Sequence, residues 1–147
     1  MYLNCHTFET NNKVMKHVFL FILIIFTIQV KSQDWIYVGN GKNGSKYYIR
    51  NSSIKENYNS RVWVKTIANK LQYYKNGKKY DLINGTSLDH YEFNCSLKQM
   101  KLLGYAFYNS KGNVVQSESF NNYQTDFKDV LPDSIGEMLL NKVCELF

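Results

Sequence analysis

Apolar residues follow three regimes along the chain. From Val18 to Ile28 they are nearly continuous (VFLFILIIFTI). From Asp34 to Glu118 they come in short runs, several strictly alternating, parted by Gly, Asn and Ser. From Ile135 to Phe147 they recur with helical spacing. Each regime predicts a different kind of element.

The continuous run holds 11 residues, and a membrane-spanning helix needs roughly 17 to 25. Met15, Lys16 and His17 give it a positive start, and Val30-Lys31-Ser32 ends on a small residue before Gln33. This pattern predicts a signal peptide over residues 15–32, with an uncleaved N-terminal anchor as the alternative. Residues 1–14 read as an upstream extension, translation starting at Met15. No Cys closes the apolar run, so the chain is not expected to be a lipoprotein. The expected location is extracytoplasmic: periplasm, cell surface or medium. Residues 33–147 are then one domain, large enough for a single core.

Strands are predicted at Asp34–Val38, Lys46–Arg50, Arg61–Ala68, Leu88–Leu97, Lys101–Tyr108 and Asn113–Glu118. In Arg61–Ala68, Val62, Val64, Thr66 and Ala68 face one way, and Arg61, Trp63, Lys65 and Ile67 the other. Tyr91, Phe93, Cys95 and Leu97 share a face opposite His90, Glu92 and Asn94. Residues 69–86 look least ordered, although Asn76-Gly77 is able to close a hairpin between LQYYK and KKYDLI. After Pro132-Asp133-Ser134, the segment IGEMLLNKVCELF places its apolar residues on one wide arc. Ser134 and Glu137 have the spacing of a capping box. The expected fold is α+β: an antiparallel sheet of five to six strands with a C-terminal helix packed on it.

Cysteines reinforce this picture. Loss of Cys5 with the leader leaves Cys95 and Cys144, and an exported domain with two cysteines has one intramolecular pairing open to it. A metal pair or a catalytic thiol are the competing readings, and neither Cys has a His near it in sequence. The strand pattern turns Cys95 inward, and Cys144 lies at the edge of the helical arc. Both sulfurs therefore meet at one helix–sheet interface.

Composition adds little that is specific to catalysis. The domain keeps one histidine, His90, and contains no paired-His motif, nucleophile elbow or phosphate-cradling loop. No cofactor is expected, and the chain reads as a non-enzyme. Charge says more. From Lys42 to Lys79 ten basic residues stand against one acid, Glu56, whereas from Asp81 onward five bases face nine acids. Threaded with Trp63 and tyrosines, the basic half is a candidate surface for an anionic partner. Its residues are Arg61, Trp63, Lys65, Lys70, Tyr73, Tyr74, Lys75, Lys78 and Lys79. The competing reading is an ordinary solvated basic face. The partner expected is a protein or an acidic glycan outside the cytoplasm; export argues against nucleic acid, and self-association is compatible with the sequence.

Several short motifs together resemble the bacterial surface-adhesin protein E family. They are Trp35, Tyr47-Tyr48-Ile49, Ser53-Ile54, Arg61-Val62-Trp63-Val64, Tyr91-Glu92-Phe93-Asn94-Cys95, Gly112-Asn113-Val114-Val115, Leu131-Pro132-Asp133-Ser134 and Val143-Cys144. The resemblance spans nearly all of residues 34–144. It implies an exported α+β domain with a Cys95–Cys144 disulfide, and adhesion to extracellular-matrix or plasma proteins such as vitronectin and laminin. Arg50 departs from the pattern, standing where the family usually carries an acid. An inhibitor or envelope factor acting in the periplasm on a secreted enzyme such as lysozyme is the alternative function.

Overall fold

Turn chemistry decides where the chain reverses. The computed structural model describes residues 35–56 and 59–147, with the backbone alone for residues 51–56. The segments read above as upstream extension and signal peptide lie outside the described residues. Strand β1 (Ile36–Asn40) meets β2 (Lys46–Glu56) through a turn in which Gly41 N–H donates to the Ser45 carbonyl at 2.8 Å. Further along the chain Asn76 and Gly77 both take positive φ, 52° and 71°. That pair matches the twist of the strands it joins. It links β3 (Asn59–Lys75) to β4 (Lys78–Asn94), each 17 residues long. Residues 69–86, expected to be least ordered, are therefore largely strand.

Next come β5 (Gln99–Tyr108), β6 (Val114–Ser119) and the two-residue β7 (Lys128–Asp129). The strands run in the order β1-β2-β3-β4-β5-β6, each antiparallel to its neighbour, with β7 pairing on β5. One helix, α1 (Ile135–Leu146), ends the described chain. The expected class holds, with a seventh short strand added.

Helix α1 starts where a side-chain oxygen replaces the missing helical acceptor. Glu137 N–H donates to Ser134 Oγ at 3.2 Å, and Asp133 N–H donates to Glu137 Oε2 at 2.8 Å. Glu137 thus reaches one residue further back than a standard capping box, because Asp133 turns into the left-handed region at φ 56°. The helix lays Leu139, Leu140 and Val143 on Ile49, Val62, Val64 and Phe93, and all seven are buried. This is the alternating face of β3 that the sequence picked out. Burial of such side chains is worth about 1.5–3 kcal/mol each.

The Cys95–Cys144 disulfide joins the end of β4 to the helix, with Cα atoms 5.7 Å apart. It sits at the rim of the interface and not inside it. Strand β4 stops at Asn94, so Cys95 begins the turn and Cys144 stays exposed one step round the helix from buried Val143. Leu97, expected to share the inner face, is 64% exposed for the same reason.

Candidate binding face

Because α1 covers one side of the sheet, the other side carries a different set of residues. Register groups them into rows that cross the strands. One row is Asn40, Lys46, Ile67, Thr86 and Tyr108. The next is Tyr37, Tyr48, Lys65, Leu88 and Ala106, and the third is Arg50, Trp63, His90 and Gly104. None of these side chains is acidic. The helix-side face of the same strands reverses the sign, holding Asp89 and Glu118 beside Tyr105 and no cation between Ser87 and Tyr91.

Cations and rings interlock on the outer face. Lys65 Nζ lies 4.3 Å from the centre of the Trp35 ring and 5.0 Å from that of Tyr48. The Arg50 guanidinium lies 5.0 Å from the Trp35 ring as well. Two like charges therefore converge on one indole, each drawn by the negative face of the ring. Partial burial lowers the pKa of Lys65, and the neighbouring Arg50 charge lowers it further. Tyr37 meets Tyr48 edge to face at 5.5 Å. Trp63 and His90 stack at 4.5 Å with their planes 9° apart. Burial and the Arg61 charge lower the pKa of His90 against a smaller opposing pull from Glu92.

Below these rows the face closes. Glu92, 6% exposed, accepts from Asn59 Nδ2 at 2.8 Å and from Arg61 Nε at 3.4 Å. It projects outward as alternation predicts, yet its partners bury it. Lys101 is buried too, its Nζ donating to the Asn122 carbonyl at 3.5 Å and lying 5.6 Å from the Phe127 ring.

The structure divides the nine surface residues selected from the sequence. Arg61, Trp63 and Lys65 stand on this face. Lys70, Tyr73, Tyr74, Lys75, Lys78 and Lys79 belong to the hairpin's distal part, beyond the last pairings of β2 and β5 with its strands. That part turns away from the face. Pairing passes over Asn69 and Asn84, and Asn84 takes φ 49°. Strict alternation would place Tyr73 with Trp63. Its ring instead packs on Tyr80 at 5.4 Å and on Phe107 at 5.7 Å, and Phe107 pairs with Ser87 on the helix side. Lys70 Nζ bonds Asp81 Oδ2 at 2.8 Å.

Sequence reasoning omitted Trp35, Tyr48, Arg50 and His90. For His90 a signal existed. A two-residue Asn76-Gly77 turn sets Lys75 opposite Lys78, and counting back from there pairs Trp63 with His90. For Arg50 no such count exists, because the β2–β3 register shifts between Asn51 and Lys55.

Elsewhere, a cavity of about 470 Å³ opens beside the start of α1, lined by Tyr91, Met100, Leu102, Val130, Leu131 and Gly136 among others. Thr125, Asp126, Lys128, Asp129 and Ser134 add the polar part of its lining. Among the described residues no helix is long and apolar enough to cross a membrane, and no group of three His, Cys, Asp or Glu side chains is placed to share a metal ion.

The family model for surface-adhesin protein E matches residues 35–145. The chain belongs to the surface-adhesin protein E family. No curated protein and no solved structure matches it. Membership in the surface-adhesin protein E family implies an extracellular or cell-surface location and suggests a surface adhesin. The matched stretch takes in every strand, the disulfide and all but the end of α1.

Proposed function

We propose that the mature chain is an exported, non-enzymatic adhesin that holds an extracellular macromolecule against the outer face of its sheet. The observation that carries this reading is the acid-free set of rows in which Arg50 and Lys65 converge on Trp35. An anionic group laid across this part of the face would meet both cations at once. Aromatic and arginine side chains are also the types that concentrate binding energy at interfaces. Residues 15–32 serve as the cleaved signal.

The test is adherence of the purified mature protein to immobilised extracellular-matrix and plasma proteins, scored with wild type and with Arg50→Gln/Lys65→Gln. Wild-type adherence that drops in the variant and falls as salt rises supports the reading, since exposed charges are screened over about 8–10 Å at physiological ionic strength. Equal adherence of both proteins at all salt levels defeats it.

The projecting hairpin favours a second reading, a periplasmic inhibitor that inserts a loop into an enzyme cleft. Its tip, Lys75 to Lys78, extends past the pairings of β2 and β5. Inhibition of a secreted lysozyme by wild type, abolished by tip substitutions, would establish that role instead.

A further inference from the structure

We infer that the occupant of the outer face is an acidic polysaccharide, whose sugar rings lie on the tryptophan and tyrosine rings while its carboxylate or sulfate groups meet Arg50, Lys65 and Lys46. This rests on the proposed binding role of that face and names the chemistry of its ligand.

Two features of the rows select this ligand from among anions. The first is the alternation of flat rings with cations. Trp35, Tyr37, Tyr48 and Trp63 occupy the same area as Lys46, Arg50 and Lys65. A pyranose ring has one face of C–H bonds, a rim of hydroxyls and, in a uronate or sulfated sugar, an anionic group at its edge. Such a ring stacks its C–H face on an aromatic face left open and carries its anion to the cations that lie over the neighbouring Trp35 and Tyr48 rings. An acidic polypeptide offers carboxylates on flexible stems and nothing flat to lie on the rings. A phosphate or other small anion would use the cations and leave the aromatics without a role.

The second feature is the polar border. Asn40, Thr86 and Tyr108 complete the row of Lys46, and Ser117 and Ser119 continue the outer face onto β6 opposite Ala106 and Gly104. These short amide and hydroxyl groups suit sugar hydroxyls, and no carboxylate stands among them to repel the chain. Neighbouring strands are about 4.8 Å apart, and successive outward residues on one strand about 7 Å apart. The cations are thus spread over two directions of the sheet, as the repeated charges of an extended polymer require. The helix-side face, with Asp89 and Glu118, would repel the same polymer and fixes which side it takes.

The sequence supplies its own reporter. The protein has two tryptophans, Trp35 and Trp63, and both lie on this face. The experiment titrates the disulfide-bonded mature protein with heparin, hyaluronan, neutral dextran and poly-L-glutamate, reading tryptophan emission and affinity together. Heparin and hyaluronan are expected to shift the emission, dextran and poly-L-glutamate to leave it unchanged. Arg50→Gln/Lys65→Gln should weaken heparin binding at least about tenfold, while Lys75→Glu/Lys78→Glu/Lys79→Glu leaves it within about twofold. Should the double variant fail to fold, the wild-type titration decides alone. Heparin binding without an emission change, poly-L-glutamate binding equal to heparin, or loss of binding in the triple variant would each overturn the inference.

A companion assay separates this from the adhesin reading. Matrix coats are tested before and after enzymatic removal of their acidic glycans. Adherence that survives the treatment overturns the glycan ligand and leaves the adhesin reading standing. A heparin-induced emission shift with no adherence to any coat upholds the glycan site and overturns the adhesin reading.

Discussion

The two ends of the β3–β4 hairpin share one ladder and one register but live in different surroundings. From Asn59 to Ala68 the hairpin is flanked by β2 and β5, backed by α1 and closed by the Cys95–Cys144 bond. Val62, Val64 and Phe93 are buried there. From Lys70 to Ile83 the two strands pair only with each other, and Tyr74 and Ile83 are 62% and 60% exposed. Backbone pairing alone is therefore not what sets local stability. The base is held by buried apolar area, whereas the distal part depends on its turn, the Tyr73–Tyr80–Phe107 contacts and a Lys70–Asp81 ion pair at 2.8 Å. Hydrogen exchange should follow the same gradient, slow at Val62 and Phe93 and fast at Tyr74 and Lys79.

The comparison is broken most severely by emptying the base. Phe93→Ala removes the largest fully buried side chain and should cost about 3–5 kcal/mol. Urea unfolding is expected to show one transition displaced to lower concentration. A loss below 1 kcal/mol would mean that the base is no better packed than the tip. Next comes the crosslink. Cys144→Ser opens a loop of 49 residues' separation and should cost about 2–5 kcal/mol. Because the bond sits at the exposed rim, reduction of the folded protein with dithiothreitol should precede unfolding. If reduction requires denaturant, the bond is shielded by more than the structure describes.

A third effect lies at the junction of the two ends and depends on pH. Asp89 pairs with Val64 and Tyr105 on the helix-side face. Burial pushes its carboxyl up to about 6, against a smaller downward pull from the Ser87 hydroxyl bonded to it at 2.9 Å. The folded protein thus prefers the neutral acid. Its contribution is fully present below the ordinary carboxylate value and is lost as pH rises through about 6. The shift corresponds to about 3 kcal/mol. Asp89→Asn should therefore stabilise the domain at pH 8 by up to about 3 kcal/mol and match wild type near pH 4. Parallel melting curves for the two proteins across this range would show that Asp89 is already solvated.

How much of this was legible beforehand follows the same division. Where burial acts on one face, alternation reported it: Val62, Val64 and the Leu139–Leu140–Val143 stripe lie where their spacing put them. The capping residues Ser134 and Glu137 were legible because their interactions are local. The distal hairpin buries only Leu82 fully between exposed Asp81 and Ile83, too short a contrast to stand out in the sequence, although Asn76-Gly77 marked its turn. Asn84 was not legible as a kink, because it takes φ 49° inside a ladder that continues in register on both sides of it. The cation–ring cluster was hidden for a different reason. Trp35, Arg50 and Lys65 come together across three segments, and the β2–β3 irregularity removes any way of counting between them.

The smallest expected effect is at the tip, and it tests whether that end behaves as an isolated two-stranded ribbon. Lys75 and Lys78 pair directly across the turn, and like charges opposite each other destabilise a ladder. Lys78→Glu converts the pair to opposite charges and should stabilise the ribbon by roughly 0.2–1 kcal/mol. Because the distal part adds little to the buried core, that gain should appear as slower amide exchange at Tyr73 and Tyr80, with little change in the global unfolding midpoint. Lys75→Glu/Lys78→Glu/Lys79→Glu restores like charges across the pair with the sign reversed, so exchange there should return toward wild type. The ordering of these three proteins by local exchange is what a screened Coulomb pair predicts, and salt should compress it. If Lys78→Glu instead raises the global midpoint as much as it slows local exchange, the tip and base unfold as one unit. The contrast between them would then be one of exposure alone.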